Sequence, residues 1–202
     1  EGMRVTHLYE SSGVFTVTCT ITATDGETFT RTKECVAGHN VAPQGEAAAS
    51  HKPQGGGGNP NIGVIADGVR PDPGNASDSQ QFDTYHWGAD ATDQWIGYTF
   101  DEEHTFGMVV FQEGNHFNNG GWFANGLRIQ VQRDGQWVDV EYTGDAYPVS
   151  NSRDDFGEPF ETFYFKLNDE TGTGIRLYGT PGGAEYFISC AELEVYEAGS
   201  GS

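Results

Sequence analysis

The chain has 202 residues, with 30 Asp and Glu against 10 Lys and Arg, for a formal charge of −20. That balance excludes nucleic acid and anionic membrane surfaces as partners, because both are held by basic patches. It fits a protein kept soluble by self-repulsion, or alternatively one that binds divalent cations or is adapted to salt. Aromatics make up 13% and there are 29 Gly, which reads as turn-rich and all-β rather than helical. The length allows one full domain plus part of another. No apolar run approaches the ~20 residues of a membrane span, so no membrane insertion is expected. No secretory leader is evident, and the start at Glu1 reads as the middle of a domain.

Residues 4–36 read as three strands. Val14 to Thr22 alternates apolar residues with Thr, the period of a half-buried strand. Asp25-Gly26 turns the chain, and Thr28 to Thr32 returns. Three strands do not close a sandwich, so this part is expected to need partners from before residue 1. Cys19 and Cys35 flank the hairpin and could bridge its strands, whereas Cys190 sits in an apolar strand as a buried thiol. The segment Val5-Thr6-His7-Leu8-Tyr9, followed by Gly13-Val14-Phe15-Thr16-Val17-Thr18, resembles the C-terminal half of a PKD domain, an immunoglobulin-like spacer of extracellular proteins.

Residues 38–63 hold Pro43, Pro53, Pro60 and the run Gly55-Gly56-Gly57-Gly58, a linker by composition. From Gly63 onward short strands succeed one another: 94–100, 107–111, a segment in which Leu127, Ile129 and Val131 alternate with polar residues, 137–140 after the Asp134-Gly135 turn, and one carrying Phe163, Phe165 and Leu167. Two more follow, 174–179 and 187–196. Strands of this length between turn signals predict a sandwich or jelly roll. The closing Gly199-Ser200-Gly201-Ser202 reads as a linker or tag.

Asn40-Val41-Ala42, Ala47 to Ser50, Ile65-Ala66-Asp67-Gly68, Trp95 to Phe100, Gly126 to Val131 with Gly135-Gln136-Trp137, and Phe187 to Tyr196 occur in the order found in factor 5/8 type C (discoidin) domains. Over about 155 residues the chain resembles these domains, and among them family-32-like carbohydrate-binding modules. The resemblance implies a galactose-binding-like β-sandwich jelly roll over 39–197, preceded by part of a PKD-like domain over 1–38 and followed by a linker at 198–202. It also turns the linker reading around: the stretch from about residue 40 becomes the domain's first strand and a glycine loop. The chain departs from many relatives in inserting Pro71 to Asp78 and in carrying Gln112-Glu113 where they have an arginine, which puts galactose-type recognition in doubt.

The resemblance further implies a structural calcium ion pinning the first loop to the last strand, with Asp67 and Glu192 as carboxylates and Thr84 or Asp72 adding oxygens. For sugars, aromatic faces and planar polar groups are needed. Three loops carry both: 83–87, 113–126 and 182–186. His86, Trp87, Glu113, Asn115, Asn118, Trp122 and Tyr186 are the candidate contacts. Among them Trp122 or Tyr186 is expected to stack on the sugar, while His86, Glu113 and Asn115 meet its hydroxyls. Trp87 and Phe123 are the aromatics expected to be buried.

Catalysis finds no support. Glu102-Glu103 and Asp154-Asp155 are adjacent carboxylates, which a strand points to opposite faces. His104 and His116 lack metal-ligand spacing, and no hydrolase or phosphate-loop motif occurs. Asn75-Ala76-Ser77 fits a glycosylation acceptor, a weak three-residue signal. The expectation is therefore a non-catalytic carbohydrate-binding module of a secreted or cell-surface protein, partnered by glycan and by neighbouring domains, tethering a larger, bacterial glycan-active enzyme to its substrate. The alternative is a structural or adhesive module that binds protein.

Overall fold

The computed structural model describes residues 7, 9, 13–55 and 57–199 of the chain. Strands β1 (Gly13–Thr22) and β2 (Thr28–Ala37) pair with each other as an isolated hairpin. Their register sets Thr18 against Thr32 and Thr20 against Thr30, so threonines share one face. The other face carries Val17, Ile21 and Phe29, all exposed. Tyr9 stacks on Phe15 at that face, with ring centroids 4.0 Å apart. The rest of the strand read over residues 5–9, apart from His7, lies outside the described residues.

The hairpin register also decides the cysteine question. Cys19 stands opposite Arg31 and Cys35 opposite Phe15. Four residues of strand therefore separate the two thiols, roughly 13 Å at the rise of an extended chain. A disulfide needs Cα atoms no more than about 7 Å apart, so the bridge across the hairpin does not form. Cys19 and Cys35 are exposed free thiols, and Cys190 is buried, with burial pushing its thiol well above the ordinary range. Titrating the folded protein with a thiol reagent should modify two cysteines promptly and the third only after denaturation.

The remaining strands form a two-layer sandwich. They are β3 (Glu46–Ala49), β4 (Phe82–Asp83), β5 (Gln94–Glu113), β6 (Phe123–Arg133), β7 (Gln136–Val140), β8 (Tyr142–Gly144), β9 (Thr162–Pro181) and β10 (Ser189–Glu197). The long antiparallel pair β5 and β9 runs through both layers. In one layer β3 flanks the first half of β5, and the second half of β9 leads on to β6 and β7. In the other, β10 flanks the second half of β5 and carries β4 on its outer edge, and the first half of β9 pairs with β8. The sequence pattern reads β5 as two strands because Asp101, Glu102 and Glu103 interrupt the alternation. Those three are exposed at a register shift between Thr99 and His104, where the pair bends from one layer into the other.

Between the layers lie Tyr98, Phe106, Phe111, Phe123, Ile129, Phe165 and Leu177, all essentially inaccessible. Each such side chain contributes about 1.5–3 kcal/mol by leaving water. This is the all-β jelly-roll sandwich expected from the sequence. The outer face of the first layer is covered by a cation ladder, the Arg176 guanidinium lying 4.2 Å from the Trp137 ring centroid and 5.1 Å from that of Trp95.

The linker reading of residues 38–63 fails. Composition suggests disorder, but backbone bonds fasten the stretch: the Val41 N–H donates to the Val195 carbonyl, that of Gln54 to Tyr85 and that of Asn59 to Gln81. Strand β3 and a 3-10 turn at Ile62–Ala66 occupy the rest. Among the described residues no helix is long and apolar enough to cross a membrane.

Candidate functional site: an aromatic pocket between four loops

Beyond β4 the chain carries Asp83 into the loop Thr84-Tyr85-His86-Trp87. Gly55, Gly57 and Gly58 lie against this segment. The Gly58 N–H donates to Asp83 Oδ2 at 2.9 Å and the Tyr85 N–H to Asp83 Oδ1 at 3.1 Å. A β-carbon on Gly58 would lie 2.3 Å from that carboxylate oxygen, so only glycine allows the approach. Asp83 is 1% exposed, and burial raises its carboxyl above the usual range against the pull of those two N–H groups.

In front of Asp83 opens a pocket of about 230 Å³ lined by Gly55, Gly57, Asp83, Tyr85, Phe117, Asn119 and Phe187. Phe187 is its buried floor. Tyr85 meets Phe187 edge-on at 5.4 Å and Phe117 tilts against it at 5.7 Å. Asn119 is held from behind, its carbonyl accepting the Glu185 N–H at 2.9 Å. Trp87 stands beside the pocket, 75% exposed, its ring 5.9 Å from Tyr85.

The predicted sugar contacts separate into a buried and an open group. Glu113 and His116 are inside the protein, with Glu113 Oε1 2.7 Å from His116 Nε2 and Tyr147 donating to Glu113 Oε2 at 3.2 Å. Burial raises the Glu113 carboxyl, while His116 and Tyr147 pull it down. Trp122 is 2% exposed and packs against His116 and Phe156. Neither Glu113 nor Trp122 lines the pocket: Trp122, just before β6, and Phe123, its first residue, are both buried. Trp87, expected inside, is the most exposed of the predicted aromatics, whereas Phe123 is buried as expected.

The others sit around the pocket without lining it. Asn115 donates to Asp78 Oδ1 at 2.9 Å, and the exposed Asn118 accepts from Arg153. His86 stacks on His51, centroids 3.8 Å apart, with its Nδ1 3.0 Å from the Thr84 carbonyl oxygen. Tyr186 is half-buried in left-handed conformation, φ +48°, its carbonyl taken by Gln94 Nε2 at 2.7 Å.

The predicted metal ligands also divide. Glu192 is 1% exposed. Its Oε1 accepts the Gly68 N–H at 3.1 Å, and its Oε2 has no partner among the described residues. Burial first, then Glu194 and Asp67, lift its carboxyl to about 8 against the Gly68 N–H and Arg70. Asp67 lies exposed at the same turn, its Oδ1 taking the Val69 N–H at 2.8 Å. Asp72 is exposed further along that loop. Thr84 does not join them. Its hydroxyl donates to Gln94 and accepts the Ile188 N–H, four residues and roughly 13 Å of strand before Glu192. Among the described residues no three His, Cys, Asp or Glu side chains gather as a metal cluster.

The F5/8 type C domain family model matches residues 61–193. The chain belongs to the F5/8 type C domain family. Solved structures with the same fold include a Clostridium perfringens CBM32 domain in complex with GalNAc-β-1,3-galactose, 16% identical, with TM-score 0.55 over 78% of this chain and 99% of that one. The family 32 CBM of C. perfringens NanJ, solved with galactose, is 17% identical, with TM-score 0.52 over 78% and 98%. Chitosan-binding module 1 from a Paenibacillus sp. IK-5 chitosanase/glucanase is 23% identical, with TM-score 0.51 over 78% and 98%. No curated protein matches the sequence.

In this F5/8 type C domain, sequence reasoning passed over Asp83, Tyr85, Phe117, Asn119 and Phe187. Four of them lie within loops it had marked, and Phe187 directly follows the third. The signal for the pocket was the glycine run itself, which composition assigned to a linker.

Proposed function

We propose that this F5/8 type C domain is a non-catalytic glycan-binding module that seats one sugar unit in the Tyr85–Phe117–Phe187 pocket. The observation that carries the reading is the pocket's composition: three rings for C–H surfaces beside Asp83 and Asn119 for hydroxyls, at the end of a rigid sandwich. Trp87 offers a platform for the next unit of a chain. The ligands named for the structural neighbours from C. perfringens support a sugar as the occupant. A shallow site exchanging water for protein hydrogen bonds binds at millimolar to micromolar level, about −4 to −8 kcal/mol. At that strength the module is useful as a tether, and we place it in a secreted, bacterial glycan-active protein with the hairpin as part of a PKD-like spacer. The hairpin does not cover the pocket. It docks through Val36 on Met108, Val110 and Tyr196 and borders a separate cleft with Tyr164 and Lys166, which favours an open ligand site over a rigid protein-binding spacer.

Isothermal titration against the hits of a glycan array tests the reading. Tyr85→Ala and Phe117→Ala should each weaken binding by about fivefold or more, each stacked ring being worth on the order of 1 kcal/mol or above. Trp137→Ala, on the outer sheet face, should leave it unchanged. Binding that survives both pocket substitutions in a folded protein sinks the assignment.

A structural calcium ion belongs to the same proposal. The unpartnered, buried Glu192 Oε2 and the neighbouring Asp67 suit a hard cation. Backbone carbonyls of the 67–72 loop would supply further oxygens. The ion would neutralise Glu192 and fasten that loop to β10.

A further inference from the structure

We infer that the pocket selects a sugar bearing a protonated amino group, a glucosamine-type unit, over N-acetylated and galactose-type units. The inference rests on the glycan reading above and concerns the charge of the ligand at the same site. Tyr85, edge-on to Phe187, and Phe117, tilted against it, line one small cavity with that ring, and an ammonium is drawn to an aromatic face. Neutral sugars exploit such rings through C–H contacts alone.

Among the described residues the Asp83 carboxylate is the only charged side chain that lines the cavity, with no Lys, Arg or His there. Asp83 is almost wholly buried, and its two oxygens receive one backbone N–H each. An ionised carboxylate accepts about four hydrogen bonds, so half its capacity remains. An ammonium supplies a charge-assisted bond and offsets the cost of keeping the anion out of water. The raised Asp83 carboxyl expresses the same shortage of compensation. Among the described residues no cation of the pocket supplies it. Asp78 stands directly behind Gly57, where a β-carbon would lie 2.9 Å from its Oδ2, and Glu185 follows the chain at Asn119. Both deepen the negative potential, and a formal charge of −20 extends it to the approach of a cationic chain.

The same field opposes a carboxylated sugar. An N-acetyl group would remove the positive charge and bring a carbonyl oxygen toward an acceptor-only carboxylate.

The test is calorimetry with a glucosamine tetrasaccharide, its fully N-acetylated counterpart and lactose, at about pH 6, below the usual range of an aliphatic amine. The amino form should bind about tenfold or more tightly than either neutral sugar, and its affinity should fall several-fold as NaCl rises and screens the charge. Asp83→Asn should bring the amino form down to the level of the neutral ones with the melting temperature kept. Should that variant fail to fold, the salt dependence of the unaltered protein and the loss in Tyr85→Leu, which keeps bulk but removes the ring, carry the decision. Equal or tighter binding of a neutral sugar, lost on Tyr85→Ala, overturns the amino selectivity and leaves the glycan pocket standing. Failure of every sugar to bind overturns both.

Discussion

Gly97→Ala is expected to lower the melting temperature of the domain by roughly 6–12 °C, measured by calorimetry or circular dichroism. Gly97 lies in the first half of β5, opposite Arg176 of β9. A β-carbon there would sit 2.2 Å from the Ile175 carbonyl oxygen and 2.5 Å from the Arg176 Cα, distances no side-chain rotation relieves. The two strands would have to separate at the seam that joins the layers, and Arg176 would be lifted from between Trp95 and Trp137. Overpacking of this kind costs about 3 kcal/mol when the obstacle is backbone, and each kcal/mol moves the melting point of a domain this size by roughly 2–4 °C. Gly13→Ala is the control. Among the described residues its new methyl meets only the Phe15 ring, at 3.4 Å, and the change should shift the transition by about a degree at most. If Gly97→Ala melts with the unaltered protein, the close approach of β5 and β9 is not what holds the seam.

The Gly97 contact shows what a single sequence conveys and what it withholds. Strand order was legible, because apolar alternation is local and turn signals such as Asp134-Gly135 are explicit. The closing strand with Glu192 and the Asp67-Gly68 turn were legible as a pair only through resemblance, since nothing local links residues so far apart. Which loop aromatic faces water was not legible. Trp122 and Trp87 both sit among glycines and polar residues, yet one is 2% and the other 75% exposed. The difference is set by register: Trp122 leads into β6, which pairs with β9, whereas Trp87 follows a two-residue strand at a sheet edge. The glycine run misled for a related reason. Gly58 is there to let a backbone N–H reach Asp83, a contact across 25 residues that composition does not encode.

Without calcium, the melting temperature should fall as pH rises from about 5 to about 8.5, and calcium should abolish most of that fall. The sign follows from Glu192. Its carboxyl is raised to about 8 in the folded protein, against about 4.3 for an unperturbed glutamate. Between those values the folded state holds a proton that the unfolded chain has released. Stability is therefore greatest below the unfolded value and declines until the pH passes the folded one. A cation replaces the proton: it neutralises the carboxylate where deprotonation would otherwise be penalised, so its stabilisation grows over the same window. At about a hundredfold excess over its dissociation constant, a bound ion adds about 2.7 kcal/mol, or roughly 5–10 °C near pH 8. Glu194 beside it is paired with Arg70 at 3.1 Å and accepts from the Tyr196 hydroxyl at 2.6 Å. Asp83 and Glu113 are also raised by burial and add a slope of the same sign. The difference between the unaltered protein and Glu192→Gln isolates the residue. In chelator the variant should lose most of the decline above pH 5, and calcium should add little to it at any pH. An undiminished slope in Glu192→Gln removes the carboxylate from the account. A calcium-insensitive transition in the unaltered protein removes the ion and leaves Glu192 as a buried acid that holds the Gly68 turn against β10 by its hydrogen bond alone.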